Sequence, residues 1–189
     1  MKILSFQSPL DFRNWLEKNH AASDGISLRI FKKGSGEKSI TYAEALDQSL
    51  CYGWIDGQKQ AHDKHSWLQK FAPRRAKSGW SKVNTQNVER LVKTGQMTPA
   101  GLKEIESAQA DGRWKAAYDS SRNAAPPKDF LRALDSNKKA KAFFETLNKA
   151  NIYSIVYRLQ TAKKPETREK RMKLILGMLT RGEAFHQKT

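Results

Sequence analysis

Strand-like alternation of hydrophobic residues occurs in the part of the chain before residue 80, and this distribution most constrains the fold. Ile26, Leu28 and Ile30 alternate with Ser27 and Arg29, which is the spacing of a strand with one buried face. From residue 80 onward, apolar residues recur at the three- and four-residue spacing typical of helices. The pattern predicts an α+β fold: a small antiparallel sheet with flanking helices, followed by a helical C-terminal unit.

Capping residues mark the helices of the first part. Ser8 and Pro9 start one helix, and the capping box of Thr41 and Glu44 starts a second helix that ends before Gly53. Similar signals start later helices at Ser81 and at Thr98-Pro99. The two other predicted strands cover residues 54–58 and 65–71, and residues 62–64 connect them as a hairpin.

The second part carries three apolar stripes at helical spacing, around residues 140–147, 152–159 and 172–179. No single helix can bury such a stripe, so these helices are expected to pack together. Residues 119–127 are rich in Ser, Asn, Ala and Pro, which is typical of a linker. We predict an α+β domain over 1–118 and a helical C-terminal unit over 128–189 packed on it.

The charge of the chain is strongly positive and unevenly distributed. Its 35 Lys and Arg against 19 Asp and Glu give a formal net charge of +16. Residues 61–95 hold 8 basic and 2 acidic residues, and residues 131–189 hold 14 and 5. Such a field attracts an anionic partner: nucleic acid, an anionic envelope surface or an acidic protein. The alternative is that the charge serves solubility alone.

Several function classes are excluded by what the sequence lacks. The single cysteine, Cys51, excludes an internal disulfide and a metal site built from several cysteines. No stretch approaches the ~18 apolar residues of a transmembrane segment. The first apolar run is broken at Ser5 and Gln7, which is too early for the core of a secretory signal. The sequence therefore predicts a cytoplasmic protein without a transmembrane segment.

No enzyme motif is apparent. His62 and His65 have no further ligand at metal-site spacing, and residues 34–39 contain Gly, Lys and Ser but lack the spacing of a phosphate-binding loop. We predict no metal, no cofactor and no catalytic residue. An enzyme with a pocket near Trp54 and Asp56 stays open as an alternative.

A first candidate anion site lies where the last predicted strand passes into a helix. Arginine side chains and the N–H groups of a helix start both favour phosphate or carboxylate, and a tryptophan can stack on a base or on arginine. The alternative is that Trp80 is a core anchor and that the arginines pair with acids such as Asp56. The candidate residues are Arg74, Arg75, Lys77, Trp80 and Lys82.

A second candidate site is the most basic segment of the chain, in and before a helix that starts at Pro165. An amphipathic helix with a cationic outer face is expected to bind phosphates or anionic lipid. The alternative is a solvated face on which Glu166 and Glu169 neutralise the cations. The candidate residues are Lys163, Lys164, Arg168 and Arg171.

Trp54 and Asp56 are of interest because Gly53 and Gly57 flank them. Glycines allow positive φ angles or a close backbone approach. The pattern predicts either a tight helix-to-strand turn held by Asp56 or the floor of a functional pocket.

Four stretches together resemble the YdeI/OmpD-associated family, which is linked to bacteriocin protection. They are residues 41–57, 71–84, 95–101 leading to 111–114, and 162–171. Their order and spacing fit that family from about residue 11 to 182. The resemblance implies a role in bacteriocin, antimicrobial-peptide or stress resistance, and the family name alone implies association with a porin. It brings no catalytic residues.

The resemblance and the charge together lead to one expectation. A protein of charge +16 repels cationic peptides, so protection would act through an anionic partner. We therefore expect a non-enzymatic basic binding protein, with nucleic-acid binding as the alternative.

Overall fold

The computed structural model describes residues 1–186, which form eight helices and a four-stranded sheet. The predicted α+β class, with helices towards the C-terminus, is confirmed. The chain divides into two compact units. Unit 1 comprises Met1–Trp80 and Asn84–Lys115, and unit 2 comprises Ser81–Val83 and the chain from Ala116 on. The predicted division at 119–127 stays a prediction, and the last three residues of the predicted 128–189 unit lie outside the described residues.

The sheet and four helices belong to the N-terminal part of the chain. The sheet has the strand order β1-β2-β4-β3, with β1 parallel to β2 and the other pairs antiparallel. The strands are β1 (Lys2–Leu4), β2 (Ile26–Phe31), β3 (Trp54–Ala61) and β4 (Ser66–Pro73). The helices are α1 (Pro9–Asn19), α2 (Tyr42–Cys51), α3 (Lys82–Lys93), whose first two residues group with unit 2, and α4 (Pro99–Ala110).

The sheet is mixed, whereas an antiparallel sheet was predicted. The difference is the parallel strand β1, which was not predicted. This strand has only three residues, and its middle residue, Ile3, is half exposed. Alternation cannot be recognised over so short a stretch. The antiparallel pairing of the three predicted strands is as expected, and β3 extends to Ala61.

One face of the sheet carries the core of unit 1. Phe71 of β4 packs against Phe12 of α1, with ring centroids 6.0 Å apart, and against Tyr42 of α2 at 6.5 Å. Both helices begin at the predicted caps, Ser8 and Thr41, and each cap forms a capping box, with Asp11 and Glu44 respectively. The residues that alternate with this core, such as Ser27 and Lys70, therefore lie on the opposite face of the sheet.

Helix α2 ends in close contact with the start of α4. The Thr98 hydroxyl donates a hydrogen bond to the Cys51 carbonyl at 2.6 Å. A Cβ atom built on Gly101 would lie 2.3 Å from that carbonyl oxygen, so only glycine fits there. Gly53, with φ +73°, then turns the chain from α2 into β3. The predicted helix-to-strand turn is present, and it fixes the start of β3.

Unit 2 is built from four helices around one apolar core. They are α5 (Lys128–Asp135), α6 (Lys138–Glu145), α7 (Lys149–Gln160) and α8 (Pro165–Thr180). The core joins Phe130 and Leu134 of α5 to Ala140, Ile155, Leu159, Ile175 and Leu179. Three of these helices match the predicted stripes, whereas α5 was not predicted. No helix within residues 1–186 is both long and apolar enough to cross a membrane.

Candidate anion-binding groove

The loop that follows β4 is held in one conformation by its own hydrogen bonds. The Arg75 N–H donates to the Ser78 hydroxyl oxygen at 3.1 Å. In return, the Ser78 N–H donates to the Arg75 carbonyl at 2.8 Å. Such side-chain-to-backbone bonds are the usual means of fixing a tight turn. The exposed side chains of Arg75 and Lys77 therefore project from an ordered loop.

Arg74 lies beneath this loop and is only 7% exposed. Its guanidinium carbon is 3.5 Å from the centroid of the Trp80 ring, and its Nη1 donates to the Gly79 carbonyl at 3.2 Å. Trp80 is 2% exposed and also contacts Trp114, with centroids 4.9 Å apart. Its ring is thus enclosed by protein and is not open to a stacking base. The core-anchor alternative describes Trp80 better.

A second buried arginine holds the loop from its other side. Arg113 is 6% exposed, and its Nη1 donates to the Ser78 carbonyl at 3.1 Å. It also donates to Asp111 at 2.6 Å and to the Ser107 hydroxyl at 3.1 Å. Arg113 was not among the candidate site residues predicted from the sequence. Its only sequence signal is its place in the stretch 111–114, which contributed to the family resemblance.

The loop borders a groove of about 690 Å³ at one end of the sheet. The floor is formed by small and apolar residues of β3 and β4, including Ile55, Gly57 and Ala72. Lys70 and Arg75 bring positive charge to the groove, and Asp24 brings a carboxylate to its rim. The groove is open to solvent, so it can receive part of a large partner as well as a small ion.

Lys70 owes its position to a glycine on the neighbouring strand. A Cβ atom on Gly57 would lie 3.3 Å from the Cβ, Cγ and Cδ atoms of Lys70, so the lysine stem crosses over the glycine. The pairing of β3 with β4 shifts register between Asp56 and Lys59, and the Gln69 side-chain amide donates to the Gly57 carbonyl at 2.8 Å. This bulge, typical of sites where a side chain is re-aimed, places Lys70 in the groove.

Asp56 and Trp54 play different roles at the groove. The Tyr42 hydroxyl donates to the Asp56 carboxylate at 2.9 Å, and partial burial together with that negative charge raises the pKa of Tyr42. Asp56 lines the groove, whereas Trp54 is 1% exposed and its Nε1 donates to the His20 carbonyl at 3.1 Å. Trp54 is therefore part of the core. No ion pair of Asp56 with Arg74 or Arg75 is present among residues 1–186.

Lys82 groups with a different unit from the other members of the first candidate cluster. It groups with unit 2, where its Nζ lies 2.8 Å from a carboxylate oxygen of Asp119. The hydrogen bond from Lys82 lowers the pKa of Asp119. The structure thus brings Arg74, Arg75, Lys77 and Trp80 together in unit 1, and pairs Lys82 with Asp119 in unit 2.

The second candidate cluster contains two kinds of cation. Arg168 forms a two-pronged ion pair with Asp129 of α5, and Arg171 donates to the Arg158 carbonyl at 2.7 Å. Both arginines are half-buried because they share a helical face with Ile175 and Leu179. The predicted outer face is therefore formed by exposed lysines, namely Lys163, Lys164, Lys170 and Lys173, the last paired with Glu169.

Metal-binding side chains do not gather anywhere in the part of the chain that the structure describes. Within residues 1–186 no three His, Cys, Asp or Glu side chains lie close enough to hold a metal ion. Burial raises the pKa of the Cys51 thiol. The thiol is the less reactive form of cysteine.

Two family models match the chain, and they cover different parts of it. Residues 4–104 match the family described as "Domain of unknown function (DUF8412)". Residues 123–182 match the one described as "Bacteriocin-protection, YdeI or OmpD-Associated". No curated protein and no solved structure gave a significant match.

The two matches follow the structure. The first contains β2, β3, β4 and the groove and begins at the last residue of β1, and the second contains α5 to α8. The predicted resemblance to the YdeI/OmpD-associated family is confirmed over residues 123–182. Of the four stretches that suggested it, residues 162–171 lie within that match, and residues 41–57, 71–84 and 95–101 lie within the first. Because the first match spans more than half of the 189 residues, the chain belongs to the DUF8412 family, and it ends in a YdeI/OmpD-associated region.

Proposed function

We propose that this protein is a non-enzymatic binding protein whose groove in unit 1 receives an anionic group of its partner. One observation carries the proposal: two buried arginines, Arg74 and Arg113, fix the loop that holds Arg75 beside Lys70 at the groove. A binding group that is already ordered loses little conformational entropy when its ligand arrives. The two buried arginines order the loop, and this favours a binding role for the basic residues over a role in solubility alone.

The chemistry of the groove favours phosphate or carboxylate. The guanidinium of Arg75 offers a planar set of donors that matches such oxygens, and the ammonium of Lys70 adds a second charge. The carboxylate of Asp56 already accepts the Tyr42 hydroxyl. Asp24, on the rim, is the other carboxylate of the groove, and it forms no hydrogen bond within residues 1–186.

Unit 2 adds long-range attraction to this local site. It carries 17 Lys and Arg against 7 Asp and Glu, a net charge of +10. Lys163, Lys164 and Lys170 form no ion pair within residues 1–186. Exposed charges of one sign mainly accelerate the encounter with an oppositely charged partner.

A protective role against bacteriocins or antimicrobial peptides belongs to the same proposal. The description of the family matched by unit 2 suggests that role. Because the chain is itself cationic, protection would come from occupying an anionic partner that such peptides also attract. A bacterial host that expresses the chain should survive challenge with a cationic antimicrobial peptide better than one that expresses the double variant Lys70→Ala, Arg75→Ala.

The binding site itself is tested by titration with sodium tripolyphosphate in a calorimeter. The double variant Lys70→Ala, Arg75→Ala should bind about tenfold more weakly, since each removed group contributes a charge-assisted hydrogen bond. Lys64→Ala is the matched control, because Lys64 is exposed in the β3–β4 connection, away from the groove. Equal affinity of the double variant and the control would reject the groove as the anion site.

A further inference from the structure

A second groove continues the first along the same face of the sheet. It has a volume of about 640 Å³ and is lined by Ser27, Gln60 and Leu68, among others. Gln58 and Lys70 line both grooves. The two grooves therefore form one continuous channel, which we call the trough, with Lys70 at the junction and Arg75 towards one end.

The dimensions of the trough suit an extended chain. It follows β4, which has eight residues and so measures about 26 Å at about 3.3 Å per residue. An extended peptide of about eight residues has the same length. A single small anion would occupy only the part of the trough near Lys70 and Arg75.

The lining has the chemistry of a peptide site. Ile55 and Ala72 offer aliphatic surface, and the Gln58 and Gln60 amides can donate to and accept from peptide groups. None of the described residues that line the trough is aromatic. Single-stranded nucleic acid is usually held by stacking of its bases on aromatic rings, so the lining favours a polypeptide over a nucleic acid.

We propose that the trough binds an extended, acidic segment of a partner protein, with carboxylates at Lys70 and Arg75 and small or aliphatic side chains over Ile55 and Ala72. This inference rests on the proposed function, because Lys70 and Arg75 belong to both. It adds the far end of the trough, at Ser27 and Gln60, as part of the site. Charge complementarity with a partner segment of negative charge supports this occupant over a neutral one.

The test compares three probes on the full chain. Two are fluorescently labelled, an eight-residue peptide of alternating Glu and Leu and an eight-nucleotide oligo(dT), and both are followed by anisotropy. The third, tripolyphosphate, is followed by calorimetry. Gln60→Glu places a negative charge at the far end of the trough, and Gln86→Glu makes the same change on an exposed position of α3. Arg75→Ala removes the cation at the near end.

We expect the peptide to bind more tightly than oligo(dT). Arg75→Ala should weaken both the peptide and tripolyphosphate, whereas Gln60→Glu should weaken the peptide alone, by about threefold. Gln86→Glu should match the unmodified chain. Because Gln60 is exposed, its replacement should leave the thermal unfolding temperature unchanged, which the same samples can show.

Other results separate the inference from the proposed function. Suppose that Arg75→Ala weakens tripolyphosphate binding, but that the peptide does not bind or binds the Gln60→Glu variant with unchanged affinity. The trough is then rejected as a peptide site, and the anion site stands. Tighter binding of oligo(dT) than of the peptide rejects the partner class. If tripolyphosphate does not bind at all, the proposed function is rejected as well.

Discussion

At the scale of single residues, neighbouring arginines have opposite roles. Arg74 is covered by Trp80 and donates inward, whereas Arg75 is exposed at the groove. Unlike the ammonium of lysine, the planar guanidinium can stack on a ring and also donate in its own plane. Arg113 uses the same planar set of donors to reach Ser78, Ser107 and Asp111. The conformation of the loop therefore depends on arginines that are themselves buried.

We expect Arg113→Lys to lose about 1–3 kcal/mol of unfolding free energy, because one ammonium cannot satisfy the three acceptors that the guanidinium reaches. Urea denaturation measures this loss, and tripolyphosphate titration of the folded variant should show weaker binding as the loop loosens. Arg90→Lys is the control, since Arg90 pairs with Asp47 at the surface and should cost less than about 1 kcal/mol. Equal losses in the two variants would contradict the role given to Arg113.

Sequence patterns could not distinguish these residues in advance. Arg74 and Arg75 are adjacent and identical in type, so only the packing of Trp80 decides which is buried. Likewise, Arg168 and Arg171 share the spacing of the apolar stripe of α8. They were nevertheless predicted to lie on the outer face, because they are charged. The sequence shows where basic residues cluster. It does not show which of them are buried by tertiary contacts and which are exposed.

At the scale of elements, prediction succeeded where periodicity was long and capping was explicit. Helices α1 and α2 begin at the predicted N-cap residues, Ser8 and Thr41, and β2 and β4 match their alternation. Both missed elements are short. The strand β1 has three residues, and α5 has eight, of which only Phe130 and Leu134 are buried. Such pieces are specified by the tertiary contacts around them rather than by local sequence.

The connection between β3 and β4 is organised by one carboxylate. Burial opposes ionisation of Asp63, but hydrogen bonds from the Ser66 hydroxyl and from the backbone N–H groups of His65 and Ser66 outweigh it and lower the pKa of Asp63 to about 2. This value lies below the unfolded value of about 3.9. The stabilisation is therefore present above about pH 4 and is lost as the pH falls towards 2.

Replacing this carboxylate should make the pH dependence visible. Asp63→Asn is expected to lower the thermal unfolding temperature at pH 7, and the difference from the unmodified chain should shrink between pH 4 and pH 2. Thermal unfolding followed by circular dichroism across that range is the measurement. Asp24→Asn serves as the control at an exposed carboxylate. A difference that stays constant down to pH 2 would contradict the role of Asp63.

The contact between α2 and α4 gives a second test at this scale. Gly101→Ala should cost about 1–3 kcal/mol, because its new Cβ would overlap the Cys51 carbonyl. The same substitution at Gly177, in the last turn of α8, meets only the end of the Arg181 side chain at 3.4 Å and should gain up to about 0.5–1 kcal/mol. Chemical denaturation of both variants measures the opposite signs, and a neutral Gly101→Ala would refute the close approach.

At the scale of the whole molecule, the positive charge is unequally shared. Unit 1 has 18 Lys and Arg against 12 Asp and Glu, a net charge of +6, and unit 2 reaches +10. The shaped groove lies in the less charged unit, and the stronger field belongs to the other. This division suits a protein in which one unit provides the site and the other accelerates encounter.

The triple variant Lys163→Glu, Lys164→Glu, Lys170→Glu should therefore change association more than dissociation. At low salt its association rate with heparin, measured by stopped flow, should fall by about tenfold, and the dependence on salt should flatten. Lys18→Glu, Lys38→Glu, Lys64→Glu changes the net charge equally within unit 1 and is the control. If both variants slow association to the same extent, net charge alone matters and the position of the lysines does not.

The bulge in β3 has a consequence for self-association. Because β3 is the outermost strand, its free backbone groups would offer a template for strands of other molecules. The irregular step between Asp56 and Lys59 twists this border and interrupts the regular ladder such a template needs. Deleting Gln58 would remove the extra residue and leave a regular ladder in which Asp56 still pairs with Phe71 and Lys59 with Gln69. The resulting flat border should increase aggregation, as light scattering would show.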